Sequence, residues 1–125
     1  MLFVWIALGG ALGSVARFVT VTASNRLMGT SFPYGTLLVN VLGSFAIGFI
    51  ATIMLRKYAD AESARYFLTT GFLGGFTTFS AFSLELLQLM QGGETALALL
   101  YILASIVLGL LAVFAGFALA QGMAS

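Results

Sequence analysis

The placement of its charges constrains this chain more than any other feature. Five Lys/Arg and four Asp/Glu residues occupy Arg17, Arg26, a run at 56–65, Glu85 and Glu94. Between them lie apolar stretches at 1 to about 27 (interrupted by Arg17), 33–55, 66–84 with a possible extension to 90, and 95–120. A helix rising 1.5 Å per residue needs roughly 20 apolar residues to cross a ~30 Å hydrocarbon core. Each stretch meets or nearly meets that length. Only 7% of the residues are charged, against about 25% in soluble domains. The expected fold is therefore an all-α membrane protein. A single domain over 1–125 would have helices near 2–27, 34–55, 65–90 and 95–121, joined by short connections, with lipid as its surroundings. The first stretch lacks a basic leader and runs past Arg17, so signal cleavage is not expected.

The composition also excludes chemistry. There is no cysteine and no histidine. Disulfides, thiol redox chemistry and Cys-ligated metals are ruled out, and the commonest general base is missing. No two carboxylates lie close together within an apolar stretch. The chain is not expected to be an enzyme or to bind nucleic acid. Lys/Arg residues divide three against one or two between the two sides, with Arg56, Lys57 and Arg65 opposite Arg26, joined by Arg17 if its long stem reaches that interface. So weak a bias permits insertion in both orientations.

Four features resist a purely lipid-facing reading. In helix 1, Gly9 and Gly13 form a GxxxG pair beside Gly10 and Ser14, spacing that suits close helix packing. Arg17 follows on the same helix and must snorkel, pair or face water. In helix 2, Thr36, Asn40, Gly43 and Ser44 share a face, and lipid cannot satisfy the Asn40 amide. In helix 4, Tyr101 and Ser105 stand one turn apart.

The third stretch carries GGFTTFSAFSLE. Gly71, Gly74 and Gly75 each weaken a helix by about 1 kcal/mol relative to alanine. A break near 74–78 would free carbonyl oxygens, which are ligands for a hard cation such as sodium. Phe76, Phe79 and Phe82 then recur every third residue, and Thr77, Ser80 and Ser83 do so one position later. These make neighbouring aromatic and hydroxyl stripes. An aromatic ring has a positive edge, and a hydroxyl donates a hydrogen bond, so both attract an anion without net charge. Weak, repeated sites also allow the ion to leave.

Together, GGALGSVARF, GTLLVNVLGSF and GFLGGFTTFSAFSLE resemble the signature segments of the Fluc (CrcB-type) fluoride channels, in order and over essentially the whole chain. The resemblance implies a passive fluoride exporter in the bacterial plasma membrane, working as an antiparallel, dual-topology homodimer with two pores. It implies fluoride contacts from Asn40, Phe79, Phe82, Ser80 and Ser83, with Thr36, Tyr101 and Ser105 on a polar track. It also implies a structural sodium ion on the backbone carbonyls of Gly74 and Thr77, and makes Arg17 a vestibule candidate. Phe76 is left to packing. Ala81 stands where threonine or serine is usual, Ser14 where alanine is usual, and Gly109 where some members carry serine.

Two other readings compete. A small multidrug-type, proton-coupled exporter needs an intramembrane carboxylate, and helix 1 has none. Glu85 reads as lying at or beyond the end of the phenylalanine run. A non-transporting anchor subunit would account for the glycines but not for Asn40 or the third stretch.

Overall fold

A computed structural model describes residues 1–124; Ser125 lies outside the described residues. Four spans are long and apolar enough to cross a membrane: Leu2–Met28, Tyr34–Lys57, Glu62–Gln91 and Thr95–Ala124. The first two are continuous helices, α1 and α2. The third comprises α3 (Glu62–Tyr66), a π-helical segment (Phe67–Leu73), α4 (Gly74–Phe76) and α5 (Phe79–Gln91). The fourth is α6 (Thr95–Ala124). No strand occurs among the described residues.

Local chemistry sets the ends. Gly29 follows α1 at a φ of 79°, which glycine adopts without a Cβ clash, and its N–H closes back onto the Asn25 carbonyl. Pro33 precedes α2, where its missing N–H removes no helical hydrogen bond.

The glycines of α1 act through packing. A Cβ on Gly9 would strike the Phe67 carbonyl oxygen, and one on Gly13 would strike that of Phe72. Gly71 and Gly75 answer from the other side: a Cβ on Gly75 would come within 2.6 Å of the Gly10 carbonyl oxygen. Backbone therefore lies on backbone, and the π-helical segment coincides with this closest approach. The same device joins α2 to α6. Gly48 faces the Val113 carbonyl, Gly116 faces that of Phe45, and Gly109 lies opposite Ser44. The 44/109 and 48/113 pairs advance in the same direction on both helices, so α2 and α6 run parallel, offset by about 65 residues along this line of contact.

The buried interior is small and includes Val39, Thr36, Leu73, Ala98 and Tyr101. Large apolar side chains such as Phe3, Leu12, Leu103 and Leu111 are exposed instead. Such a surface suits lipid or another membrane helix.

Candidate pore at the break in the third span

The third span breaks at Thr77 and Thr78, whose φ/ψ values of −84°/157° and −153°/121° are extended. Thr77 N–H still donates to the Leu73 carbonyl at 3.0 Å. The next donor in sequence, Thr78 N–H, leaves the helix for Asn40 Oδ1 at 2.8 Å. Asn40 Nδ2 returns a hydrogen bond to the Thr78 carbonyl at 3.0 Å. A backbone N–H only donates, so this pairing fixes which end of the Asn40 amide is oxygen. One Nδ2 hydrogen is left for a further acceptor.

Downstream, Thr78 Oγ1 caps α5 by accepting from Ala81 N–H at 3.1 Å. Upstream, the Arg17 guanidinium donates through Nε to the Gly75 carbonyl at 3.1 Å. That bond satisfies a carbonyl whose helical partner was lost and holds the arginine against the break. The expected break is present, but the glycines do not make it. Gly74 is helical, at φ −62° and ψ −37°. Gly71 and Gly75 admit α1, while Asn40 and Thr78 interrupt the helix.

In front of the break lies a cavity of about 700 Å³. It gathers six residues expected from the sequence: Asn40, Gly74, Thr77, Phe79, Phe82 and Ser105. The Phe79 and Phe82 rings are tilted at 43° with centroids 5.7 Å apart. Phe82 continues to Tyr101 at 4.9 Å, and Tyr101 to Phe32 at 5.5 Å with an edge-on geometry. Phe76 stacks on Phe72 instead, as its assignment to packing requires. The Phe79 side of the cavity is open, with that ring 78% exposed. Ser80 and Ser83 are exposed on α5 and do not line this cavity. Ser83 donates to the Phe79 carbonyl, and Ser80 pairs with Thr78 Oγ1 at 3.3 Å.

Thr36 and Tyr101 meet at a residue the sequence reading left outside the site. Thr36 Oγ1 donates to Glu85 Oε2, and Tyr101 Oη donates to Glu85 Oε1, each at 2.9 Å. Glu85 thus lies within the bundle, not beyond the phenylalanine run. It also lines a second cavity of about 340 Å³ with Asn25, Thr30, Gln88 and Glu94. Its carboxylate therefore joins that cavity to Tyr101, whose ring packs on Phe82 of the aromatic one. Helical periodicity held the signal: positions 78, 82 and 85 share a face. Both hydroxyl donors are nearly or fully buried, so the carboxylate supplies acceptors that lipid cannot.

Known proteins resemble this chain over nearly its full length. The family described as CrcB-like protein, Camphor Resistance (CrcB), matches residues 4–117. A fluoride-specific ion channel FluC from Rhizobium meliloti (strain 1021) is 50% identical over 118 residues, 94% of each chain. One of the same name from Chelativorans sp. (strain BNC1) is 48% identical over the same share. Another, from Rhodopseudomonas palustris (strain BisB5), is 44% identical over 123 residues, 98% of this chain and 99% of its own.

Proposed function

This chain belongs to the CrcB-like family and is a multi-pass membrane protein, not an enzyme, and from that premise we propose that it is a passive, fluoride-selective channel. Fluoride would leave the cytoplasm down its electrochemical gradient. The observation that carries this reading is the cavity at the break. Uncharged donors from Asn40 and Ser105 share it with the rings of Phe79 and Phe82. Hydrogen-bond donors and ring edges replace part of the hydration of a small anion, while the absence of a lysine or arginine in the lining lets it move on.

The working unit we propose is an antiparallel homodimer with two pores. The open cavity and the exposed Phe79 support it, since a second copy would close that side. Such a copy would also cover Ser80 and Ser83. Thr36, Tyr101 and Glu85 would connect the aromatic cavity to the polar one at the end of the bundle. Both Glu85 oxygens accept from this chain's own hydroxyls, which favours a fixed polar link over the free carboxylate of a proton-coupled exporter.

A structural sodium ion at the centre of the dimer fits the donor chemistry. The break diverts Thr78 N–H from Gly74 and Ala81 N–H from Thr77, so both carbonyls lose their helical donors. These are hard oxygen ligands. Two from one chain are fewer than a hard cation takes, and a second copy would double them. Bound there, the ion would supply fixed positive charge and tie the two breaks together. Arg17, already on the Gly75 carbonyl, would hold the neighbouring backbone in place.

The test is fluoride efflux from proteoliposomes carrying the purified protein, followed with a fluoride electrode and repeated with chloride. Fluoride efflux well above that of empty vesicles, with little chloride efflux, is expected. Efflux no faster than from empty vesicles refutes the proposal.

A further inference from the structure

The parallel packing of α2 and α6 sets their polar residues out as rungs. Positions four apart on α2 (36, 40, 44 and 48) face positions four apart on α6 (101, 105, 109 and 113), given the offset between the helices. At the first rung, Thr36 and Tyr101 are both satisfied by Glu85. At the second, Asn40 is held by Thr78, while Ser105 Oγ is buried without a hydrogen-bond partner. At the third, Ser44 faces Gly109, which has no side chain. The fourth, Gly48 against Val113, is apolar.

Ser44 differs from the hydroxyls that bond back to their own helix. Thr20, Thr52, Thr69, Thr77 and Ser83 each donate to the carbonyl four residues back. Ser44 makes no hydrogen bond to the protein among the described residues, and it lines the aromatic cavity beside Ser105. A hydroxyl in a membrane interior that bonds neither to its own helix nor to a neighbour must find water or an ion. Two such hydroxyls, one from each of two packed helices, line one cavity with Asn40 and Phe82.

We propose that Ser44 is a pore residue: with Ser105 it forms a donor pair that takes a partly dehydrated anion as it passes the phenylalanines. Ser44 is the last donor on α2 before the apolar lining begins at Ile47. Its hydroxyl therefore sets how far along α2 the anion is held by hydrogen bonds. The proposal rests on the channel reading and adds a residue to it.

Gly109 provides the test. A Cβ placed there would lie 3.8 Å from Ser44 Oγ, an ordinary contact, so a side chain can start from this position toward Ser44 without a clash at its first atom. Fluoride efflux is compared for wild type, Ser44→Ala, Ser44→Thr, Gly109→Ser and the Ser44→Ala/Gly109→Ser double variant. All are first matched by melting temperature and elution volume in detergent. Ser44→Ala is expected to lower flux about tenfold, the rate equivalent of a hydrogen bond to a charged group at the low end of its range. Ser44→Thr keeps the hydroxyl and should conduct. The double variant should recover most of the lost flux, because a hydroxyl returns to the same rung from the other helix. Rescue by Gly109→Ser is not expected if Ser44 merely fills space. A conducting wild type with an equally conducting Ser44→Ala overturns this inference alone. So does a slow Ser44→Ala that neither threonine nor Gly109→Ser improves. A wild type without flux overturns the channel reading and this inference with it.

Discussion

Asn40 joins the backbone of the break to the cavity, so its replacement separates a structural role from a pore role. In Asn40→Leu the Thr78 N–H loses its acceptor and the Thr78 carbonyl loses one donor. An orphaned buried donor costs about 1–3 kcal/mol, and a lost hydrogen bond about 0.5–1.5 kcal/mol, so the loss should be about 2–4 kcal/mol. Asn40→Asp keeps an acceptor for Thr78 N–H and matches the shape, but puts a carboxylate oxygen where Nδ2 was. That oxygen faces the Thr78 carbonyl at about 3 Å with no proton between them. A fixed negative charge about 4 Å from a passing fluoride costs about 4 kcal/mol at an effective dielectric of 20, or about a thousandfold in rate. The expected pattern is a lower melting temperature for the leucine variant and a folded but nearly silent aspartate variant. Melting in detergent and fluoride efflux from proteoliposomes read the two effects separately. An aspartate variant that conducts like wild type would remove Asn40 from the ion path. A leucine variant that melts like wild type would remove its hold on the break.

Three further outcomes follow from the geometry. Phe79→Ile should leave the fold intact, since the ring is largely exposed in one chain, yet lower fluoride efflux by losing a ring edge; Phe82→Ile should lower both efflux and melting temperature, because that ring also packs on Tyr101. Glu85→Leu should lower the melting temperature by stranding the buried Thr36 and Tyr101 hydroxyls, a loss of about 2–4 kcal/mol, and Glu85→Gln should restore most of it because its amide still pairs with both hydroxyls. Gly13→Ala should destabilise the bundle by at least about 1–3 kcal/mol, as its methyl would strike the Phe72 carbonyl, whereas alanine at Gly122, with open space beside it, should melt like wild type.

Sequence patterns revealed those features that follow from one helix at a time. Charge-free length marked the four spans, small-residue spacing marked α1 as a close-packing helix, and the buried amide of Asn40 marked a polar contact. Relations between helices were harder to read. The three glycines near the break suggested that glycine itself interrupted the helix, because their helix-weakening effect is local and their role in admitting α1 is not. Glu85 was misplaced for the same reason. Its place along the chain, at or beyond the end of the phenylalanine run, does not point to a site, while its partners, Thr36 and Tyr101, lie 49 and 16 residues away. Ser44 was visible as one of several small polar residues, but only the 65-residue offset of α6 shows that it faces a glycine.

The break also explains how so lightly charged a chain could handle an anion. An intact helix exposes unpaired carbonyls at one end and unpaired N–H groups at the other, far apart across a membrane. Interrupting the third span at Thr77 and Thr78 brings a carbonyl-rich end, at Gly74–Phe76, next to an N–H-rich start, at Phe79. Gly74 and Phe79, one from each pole, line the same cavity. The carbonyl pole suits a cation and is already held by the Arg17 guanidinium at Gly75. In the proposed pore, the N–H pole would add a favourable dipole to the ring edges and hydroxyls offered to the anion. Placing a lysine there would give stronger attraction, but it would also make departure slow. Asn40 is therefore the residue on which both properties depend: by taking the Thr78 N–H it creates the two poles, and it keeps one amide hydrogen for what enters between them.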